Sequence, residues 1–353
     1  YSHVAQKRGC AVKVIHSEDH RYHFPQGEIS GGQFVTPFER PSRVEYILSR
    51  LKEVGMTDIS APDAIDWAPV KTIHDAKFLE FLETCWAEWV AEGYLGEILP
   101  LGFPARRMQL RRPNHIDGKI GYYCLATETA ITKGTWRAAQ ASCAVAQTAQ
   151  RLVSGGARSA FALCRPPGHH AASDMYGGYC FLNNAAITAQ MFLDQGAAKV
   201  AILDVDFHHG NGTQDIFYER DDVLFCSMHG APEDAFPFFL GYGDETGAGR
   251  GEGFNVNYPM PPGTGFAVWK SAFEDALQKI KAFGAEAVVV SLGVDTYKDD
   301  PISFFKLDSP DFLVIGQRIA SLGLPTLFVM EGGYAIDAIG LNTVNVLEGF
   351  ANS

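Results

Sequence analysis

The residues best suited to chemistry sit in Val200–Thr213, VAILDVDFHHGNGT. There an apolar run breaks into Asp204, Asp206, His208 and His209 and then into a glycine-rich turn. Aspartate and histidine two positions apart on an extended segment project to the same side, because side chains alternate with period two. That spacing predicts that Asp206 and His208 hold one metal ion from a single strand end. A third carboxylate, Asp295, stands in GVD just after the apolar run that ends at Leu292. Two carboxylates and an imidazole suit Zn²⁺, with Fe²⁺ or Co²⁺ also compatible, and three protein ligands leave positions open for water and substrate.

Two further loops carry polar groups in the same setting. His169 and His170 follow Pro166–Pro167–Gly168, a stiff turn, and either imidazole could serve as general base because it titrates near working pH. Such a histidine needs an acceptor on its other ring nitrogen, and Asp204 and Asn211 are the nearby candidates. Tyr334 follows Gly332–Gly333, whose backbone freedom can aim a phenol at a developing oxyanion. His209 and His229 are read as structural.

The elements that must position these groups alternate along the chain. Apolar, β-rich runs at Ala160–Leu163, Val200–Asp204, Val223–Ser227, Ala287–Leu292 and Thr326–Met330 are separated by helical patterns. Those helices lie near Asn184–Gln195, Phe266–Phe283, Asp311–Leu322 and Ala338–Phe350. This alternation predicts an α/β fold, an open, mostly parallel multi-stranded sheet flanked by helices. In such sheets ligands bind outside the carboxyl ends of the strands, which is where all four loaded loops fall.

Earlier in the chain, Ala11–Ile15 reads as a first strand. Ser42 and Glu45 have capping-box spacing ahead of a helix marked by Val44, Ile47, Leu48, Leu51 and Val54. A second helix is expected over Asp75–Val90 and an Ala-rich one over Thr135–Val153. Gly96–Gly121 shows no periodicity and carries Arg106–Arg107 and Arg111–Arg112, so it reads as a functional or interface loop.

Bulk properties narrow the function. With 29 Lys+Arg against 41 Asp+Glu in 353 residues, the net charge of −12 argues against nucleic acid and anionic membranes as partners. No run approaches the ~18–20 apolar residues of a membrane span. YSHVAQKRGC lacks the apolar core of a signal peptide, so cytoplasmic localisation is expected. Residues 1–10 read as an N-terminal extension, native or added, and 11–353 as one catalytic domain. Seven cysteines without CxxC spacing read as reduced, mostly buried thiols.

Several long segments, RPPGHHA, GGYCFLNNAA, LDVDFHHGNGTQDIFY, VSLGVDTYKDDPISFFKL and VMEGGY, together resemble the arginase–deacetylase superfamily. The resemblance is to its histone-deacetylase-like amidohydrolases, and within them to the bacterial acetylpolyamine amidohydrolases. IHSEDH, IHDAKFLEFLE and GYYCLATETA extend it over nearly the whole chain from Ala11. The repeated DxHxD-type bimetal motifs of arginases are absent. The resemblance implies catalytic Zn²⁺ on Asp206, His208 and Asp295, with His170 as general base and then general acid. It implies His169 backed by Asp204 as electrostatic partner, Asn211 orienting His170, and Tyr334 polarising the scissile carbonyl.

It also implies monovalent cation sites for K⁺ or Na⁺. One matches Asp204, Asp206, His208, Ser227 and Met228; the other matches the carbonyls of Phe217, Arg220 and Val223. Gly178, Tyr179, Phe236 and Ile302 match the walls of a narrow apolar tunnel. Glu28 and Asp117 match acidic positions at its mouth that meet a distal ammonium, Asp117 being shorter than the Glu expected there. The loop at 96–121 matches an insertion that forms a homodimer and narrows the entrance. The expected substrate is a small cationic acetylated polyamine of the acetylputrescine, acetylcadaverine or acetylspermidine type. The rival readings are a deacetylase of acetyl-lysine in proteins and a non-catalytic polyamine sensor.

Overall fold

The structure, a computed structural model, describes residues 12–353, so Ala11 and the expected N-terminal extension lie outside the described residues. Its strands in chain order are β1 (Lys13–Ile15), a hairpin of β2 (Glu28–Ser30) and β3 (Gln33–Val35), β4 (Ile59–Ser60), β5 (Ser159–Ala162), β6 (Val200–Asp204), β7 (Val223–Gly230), β8 (Asn255–Met260), β9 (Ala287–Leu292) and β10 (Thr326–Met330). Apart from the antiparallel hairpin, the strands form one eight-stranded sheet in the order β4-β1-β5-β10-β9-β6-β7-β8. Every neighbouring pair in it is parallel. The α/β expectation holds, and the sheet is wholly rather than mostly parallel.

Parallel strands covered on both faces read as continuous apolar runs, and AVVVSL of β9, VAILD of β6 and TLFVM of β10 are buried at every position. The helices are α1 (Ser42–Glu53), α2 (Trp67–Ile73), α3 (Ala76–Ala91), α4 (Ile116–Tyr123), α5 (Thr135–Ser154), α6 (Asn184–Asp194), α7 (Asn211–Phe217), α8 (Phe266–Phe283), α9 (Ser309–Ala320) and α10 (Ile336–Ala351). None among the described residues is long and apolar enough to cross a membrane. In α9 the sequence reading placed the start at Asp311. That residue instead completes a capping box with Asp308, with Pro310 inside the first turn.

The capping box expected at Ser42 and Glu45 does not form. Pro41 stands at the N-cap without a side-chain bond, and Glu45 pairs with Arg21 at 2.9 Å. The aperiodic stretch at 96–121 runs into a short helix, α4, begun by His115, whose ring nitrogen accepts from Asp117 N. Two turns are too short to produce a readable period. Gly316 and Gly349 let α9 and α10 approach closely, since a Cβ at either would meet a backbone carbonyl of the other helix.

The strand order carries the functional consequence. β5, β10, β9 and β6 are contiguous, and their registers pair Ala162 with Val329, Met330 with Leu292 and Ser291 with Asp204. The four loops that follow these strands therefore leave one edge of the sheet side by side. Phe328, wholly buried in β10 against Phe350, carries part of the core beneath that edge. Phe328→Ala is expected to cost about 3–5 kcal/mol, read as a lowered denaturant midpoint. Leu95→Ala, at a fully exposed side chain, is expected to stay within about 0.5 kcal/mol.

Candidate active site

Asp206 and His208 do converge with Asp295, but not as an extended strand end. β6 stops at Asp204, and the next residues turn: Asp206 N donates to Asp204 Oδ1 at 3.1 Å and His208 N to Asp206 Oδ1 at 2.8 Å. Aspartate side chains that accept from the backbone two residues on favour such turns. They bring His208 Nδ1 to 3.4 Å from Asp206 Oδ1 and 3.0 Å from Asp295 Oδ2. One donor atom from each residue lies within 4.8 Å of the others.

These residues fit a divalent metal on the structure's own terms. Both carboxylates are buried, and among the described residues no Lys or Arg pairs with either. Burial and the Asp206 charge push the Asp295 carboxyl up to about 7 despite His208 beside it. The backbone also closes round them: a Cβ on Gly293 or Gly332 would collide with the oxygens of Asp206 or Asp295. Gly332 N donates to Asp206 Oδ2 at 2.8 Å, and Phe207 N to Asp295 Oδ1 at 2.7 Å.

The tandem histidines sit against this cluster with different partners. His169 Nδ1 donates to Asp204 Oδ2 at 2.9 Å, and His170 Nδ1 to Asn211 Oδ1 at 2.6 Å. Burial works to lower the basicity of His169, but Asp204, Asp206 and Glu331 outweigh it and hold it well above the usual imidazole range. Burial, with the neighbouring charges of His169 and His208, drives His170 well below that range. The two rings are 4.1 Å apart, so the carboxylates around His169 keep it charged, and that charge with burial keeps the adjacent His170 neutral.

Tyr334 is held rather than free to swing. Its N–H and that of Ala335 donate to Asp300 Oδ2 at 2.7 and 3.2 Å, and the Arg43 guanidinium lies 4.9 Å from its ring centre. Burial pushes its hydroxyl well above the usual phenol range, so it remains a donor.

His170, His208 and Tyr334 line a cavity of about 480 Å³, as do Gly178, Tyr179, Phe236 and Ile302. Gly178 has φ +56°, and a Cβ there would strike the His170 ring, so the wall can run this close only with glycine. Glu28 also lines the cavity but is not a free mouth residue. It accepts from Tyr179 Oη at 2.9 Å and from Phe38 N at 3.2 Å. Burial raises its carboxyl to about 7 against those two bonds. Asp117 is not brought to this cavity. It accepts from Tyr94 Oη at 2.9 Å and lines a separate depression of about 430 Å³ formed by the 101–122 loop.

Several participating residues went unread in the sequence. Glu128 lines the main cavity and accepts from Gly178 N at 2.8 Å; it lies in GYYCLATETA, where nothing in the spacing marks it. Glu331 Oε2 accepts from Gly168 N and His169 N at 2.7 and 3.1 Å, tying the loop after β10 to the loop after β5. Arg43 donates to the carbonyls of Gly333 and Glu331 at 2.7 and 2.6 Å and pairs with Glu39. Its signal, one arginine inside a helical pattern, is indistinguishable from a surface residue.

Of the residues expected at cation sites, Ser227 Oγ bonds His229 Nδ1 at 2.8 Å, Met228 is buried, and the Phe217 carbonyl accepts from Arg220 N at 3.0 Å just ahead of Val223. His209 and His229 contact Asn257 and the Gly241 carbonyl, and neither lines the cavity.

A parallel sheet with a buried Asp2His cluster, paired histidines and a tyrosine at its carboxyl edge defines a hydrolytic site, and comparison with known proteins agrees. Residues 37–350 match the histone deacetylase domain model, and the chain belongs to that family. It is a hydrolytic deacetylase, and membership implies a divalent metal. The chain is 57% identical over 340 residues to the acetylpolyamine amidohydrolase of Mycoplana ramosa, covering 96% of this chain and all of that one. It is 56% identical to acetylpolyamine amidohydrolase 1 of Pseudomonas aeruginosa, over 95% and 98% of the two chains. The crystal structure of an acetylpolyamine aminohydrolase from Burkholderia pseudomallei superposes with a TM-score of 0.91 at 39% identity, covering 96% and 98%.

Glu331→Leu is expected to strand the N–H groups of Gly168 and His169, costing about 1–3 kcal/mol for each buried group left unpaired. Because it also frees the loop that carries His169, turnover should fall roughly 10–100-fold at unchanged metal content. Metal analysis alongside steady-state kinetics checks both.

Proposed function

We propose that the chain hydrolyses the acetamide bond of small acetylated polyamines with Zn²⁺ held by Asp206, His208 and Asp295, releasing acetate and a free amine. The observation that carries this reading is a buried carboxylate, Glu28, on the wall of an aromatic-lined cavity that also reaches His170, His208 and Tyr334. An aliphatic chain suits walls of Tyr179, Phe236 and Ile302, and a distal ammonium suits Glu28 with Glu128 beside it. The similar proteins named for acetylpolyamine hydrolysis support the same substrate class.

A bound Zn²⁺ supplies Lewis acidity, polarising the amide carbonyl and lowering the pKa of a water. His170 offers Nε2 as its basic atom because Asn211 occupies Nδ1, and it is neutral at working pH, so it takes the proton of the attacking water. His169, kept charged by Asp204, contributes a fixed positive field beside it. Tyr334 donates its hydroxyl proton in a hydrogen bond to the amide oxygen as negative charge grows there. His170 then returns its proton to the leaving nitrogen. K⁺ or Na⁺ near Asp204 and at the Phe217, Arg220 and Val223 carbonyls would steady this edge of the sheet. The 96–121 loop is proposed to join two copies as a homodimer, its exposed Leu101, Phe103, Met108 and Leu110 being the apolar surface for it. The six described cysteines are buried and free, in keeping with a reducing, cytoplasmic setting.

Tyr334→Phe should leave zinc content unchanged and lower kcat by roughly 10²-fold or more, the scale of a lost oxyanion donor. Near-normal turnover removes Tyr334 from the mechanism. The substrate class is tested with acetylputrescine, a neutral N-alkylacetamide of equal length and an acetyl-lysine peptide, assayed on zinc-loaded protein. The diamine should be preferred, and preference for the peptide overturns the reading. Glu28 adds a pH signature. Below about 7 its carboxyl is protonated and cannot pair with an ammonium; above it the charge is present. KM for the diamine should therefore fall as pH rises through that range, while KM for the neutral amide does not share this change. Glu28→Gln should abolish the difference and raise the diamine KM roughly 10–100-fold, the worth of one charge-assisted hydrogen bond.

A further inference from the structure

A second cluster of metal-binding groups lies at the end of β1, outside the machinery described above. His16 directly follows the strand, and Glu18 and His20 belong to the 3₁₀ turn Glu18–Tyr22, which Ser17 opens by accepting from Asp19 N at 3.2 Å. One donor atom from each of the three lies within 4.8 Å of the others. His16 Nε2 is 3.2 Å from Glu18 Oε1, and the two imidazole rings are 5.4 Å apart.

The independent observation is an unmet hydrogen-bonding demand. His20 is 3% exposed, yet among the described residues neither of its ring nitrogens has a partner, and Nδ1 of His16 has none either. Buried polar groups are paired as a rule, and each one left unpaired weakens the fold. Glu18, by contrast, is exposed, so the cluster opens to solvent on its carboxylate side.

We propose that His16, Glu18 and His20 form a second metal site, taking a borderline dication of the Zn²⁺ class through two imidazoles and one carboxylate. Nitrogen and oxygen donors in this ratio suit that class, and three ligands leave room for water. The groups facing the cluster permit it. Arg21 lies between Glu18 and Glu45, at 2.8 and 2.9 Å, and Arg165 pairs with Glu39 at 2.8 Å, so both nearby guanidiniums are already matched by carboxylates. Burial lowers the basicity of both imidazoles, at His16 against the Glu18 carboxylate and at His20, with Arg165 nearby, to about 3, and favours the neutral form that binds metals. The ion would fasten the 3₁₀ turn to the sheet. Because the His20 carbonyl accepts from Arg165 Nη1 at 2.6 Å, it would also steady the residue that begins the RPPGHH loop.

The test is a count of bound metal. Full-length protein is stripped with chelator, equilibrated against buffered free Zn²⁺ from nanomolar to micromolar, and analysed for zinc per chain; Co²⁺ loading followed by visible absorption reports the ligand set of each site. Wild type should take up a second ion beyond the one at Asp206, and Asp206→Asn should lose the first and keep the second. Glu18→Gln, at an exposed position that does not threaten folding, and His16→Phe should each lose the second ion and retain both the first and the deacetylase activity. A single ion per chain in wild type across the whole range overturns the proposal. So does a second ion that persists in Glu18→Gln and His16→Phe.

Discussion

Four carboxylates buried within one small volume are the constraint on which this structure turns. Asp204, Asp206, Asp295 and Glu331 are all fully inaccessible, and each follows or ends one of three adjoining strands. Like charges taken out of water repel one another and lose their hydration, so such a cluster is stable only if donors and cations are built around it. The sheet supplies them: the N–H groups of Phe207, Gly332, Gly168 and His169 each donate to one of the four carboxylates. His169 adds positive charge from its side chain. The remaining negative charge is what a dication would balance.

The same pressure differentiates the histidine pair. His169 faces the carboxylates while His170 is buried beside the charged His169, so adjacent residues of one type shift in opposite directions. The turn that carries them is clasped from both sides. N–H groups of Gly212 and Thr213, at the start of α7, donate to the His169 carbonyl, while Glu331 holds its amide. A base placed this way can move a proton without moving its ring.

Support reaches further back through buried ion pairs. Arg43 on α1 and Arg165 at the start of the histidine loop share Glu39, and Arg43 also holds the carbonyls flanking Gly332. A helix far from β10 in sequence thereby sets the position of Tyr334. Truncating one member of such a network leaves an unpaired buried charge, which costs more than the pair contributes. The Glu28 side of the cavity is built more lightly. Glu28 lies at the start of the short β2–β3 hairpin, and among the described residues its side chain is anchored by a tyrosine hydroxyl and one amide.

Much of this was written locally. Apolar runs with strand-length spacing marked β6, β9 and β10 end to end, because a strand buried on both faces leaves no polar interruption. Of the strands in the main sheet, β4 and β8 escaped reading, and both lie at its edges, where the burial pattern is mixed; the short β2–β3 hairpin escaped as well. DVDFHH, GVD, HH and GGY declared their chemistry by residue type, and the rule that ligands gather at strand carboxyl ends was enough to bring them together. What only the tertiary structure decided is how each group is partnered. Residue type cannot say that Asp206 turns back on Asp204, that Glu28 is buried against Tyr179, or that Asp117 lies in a different depression. Nor could it show that Glu331, Glu128 and Arg43, ordinary charged residues in sequence, complete the site. The reason is physical: intrinsic chemistry and period are carried by a few neighbouring residues. Burial, charge balance and proton affinity are properties of whatever the fold brings within a few ångströms, and here those partners range from two residues apart, as Asp204 and Asp206 are, to 290, as Arg43 and Gly333 are.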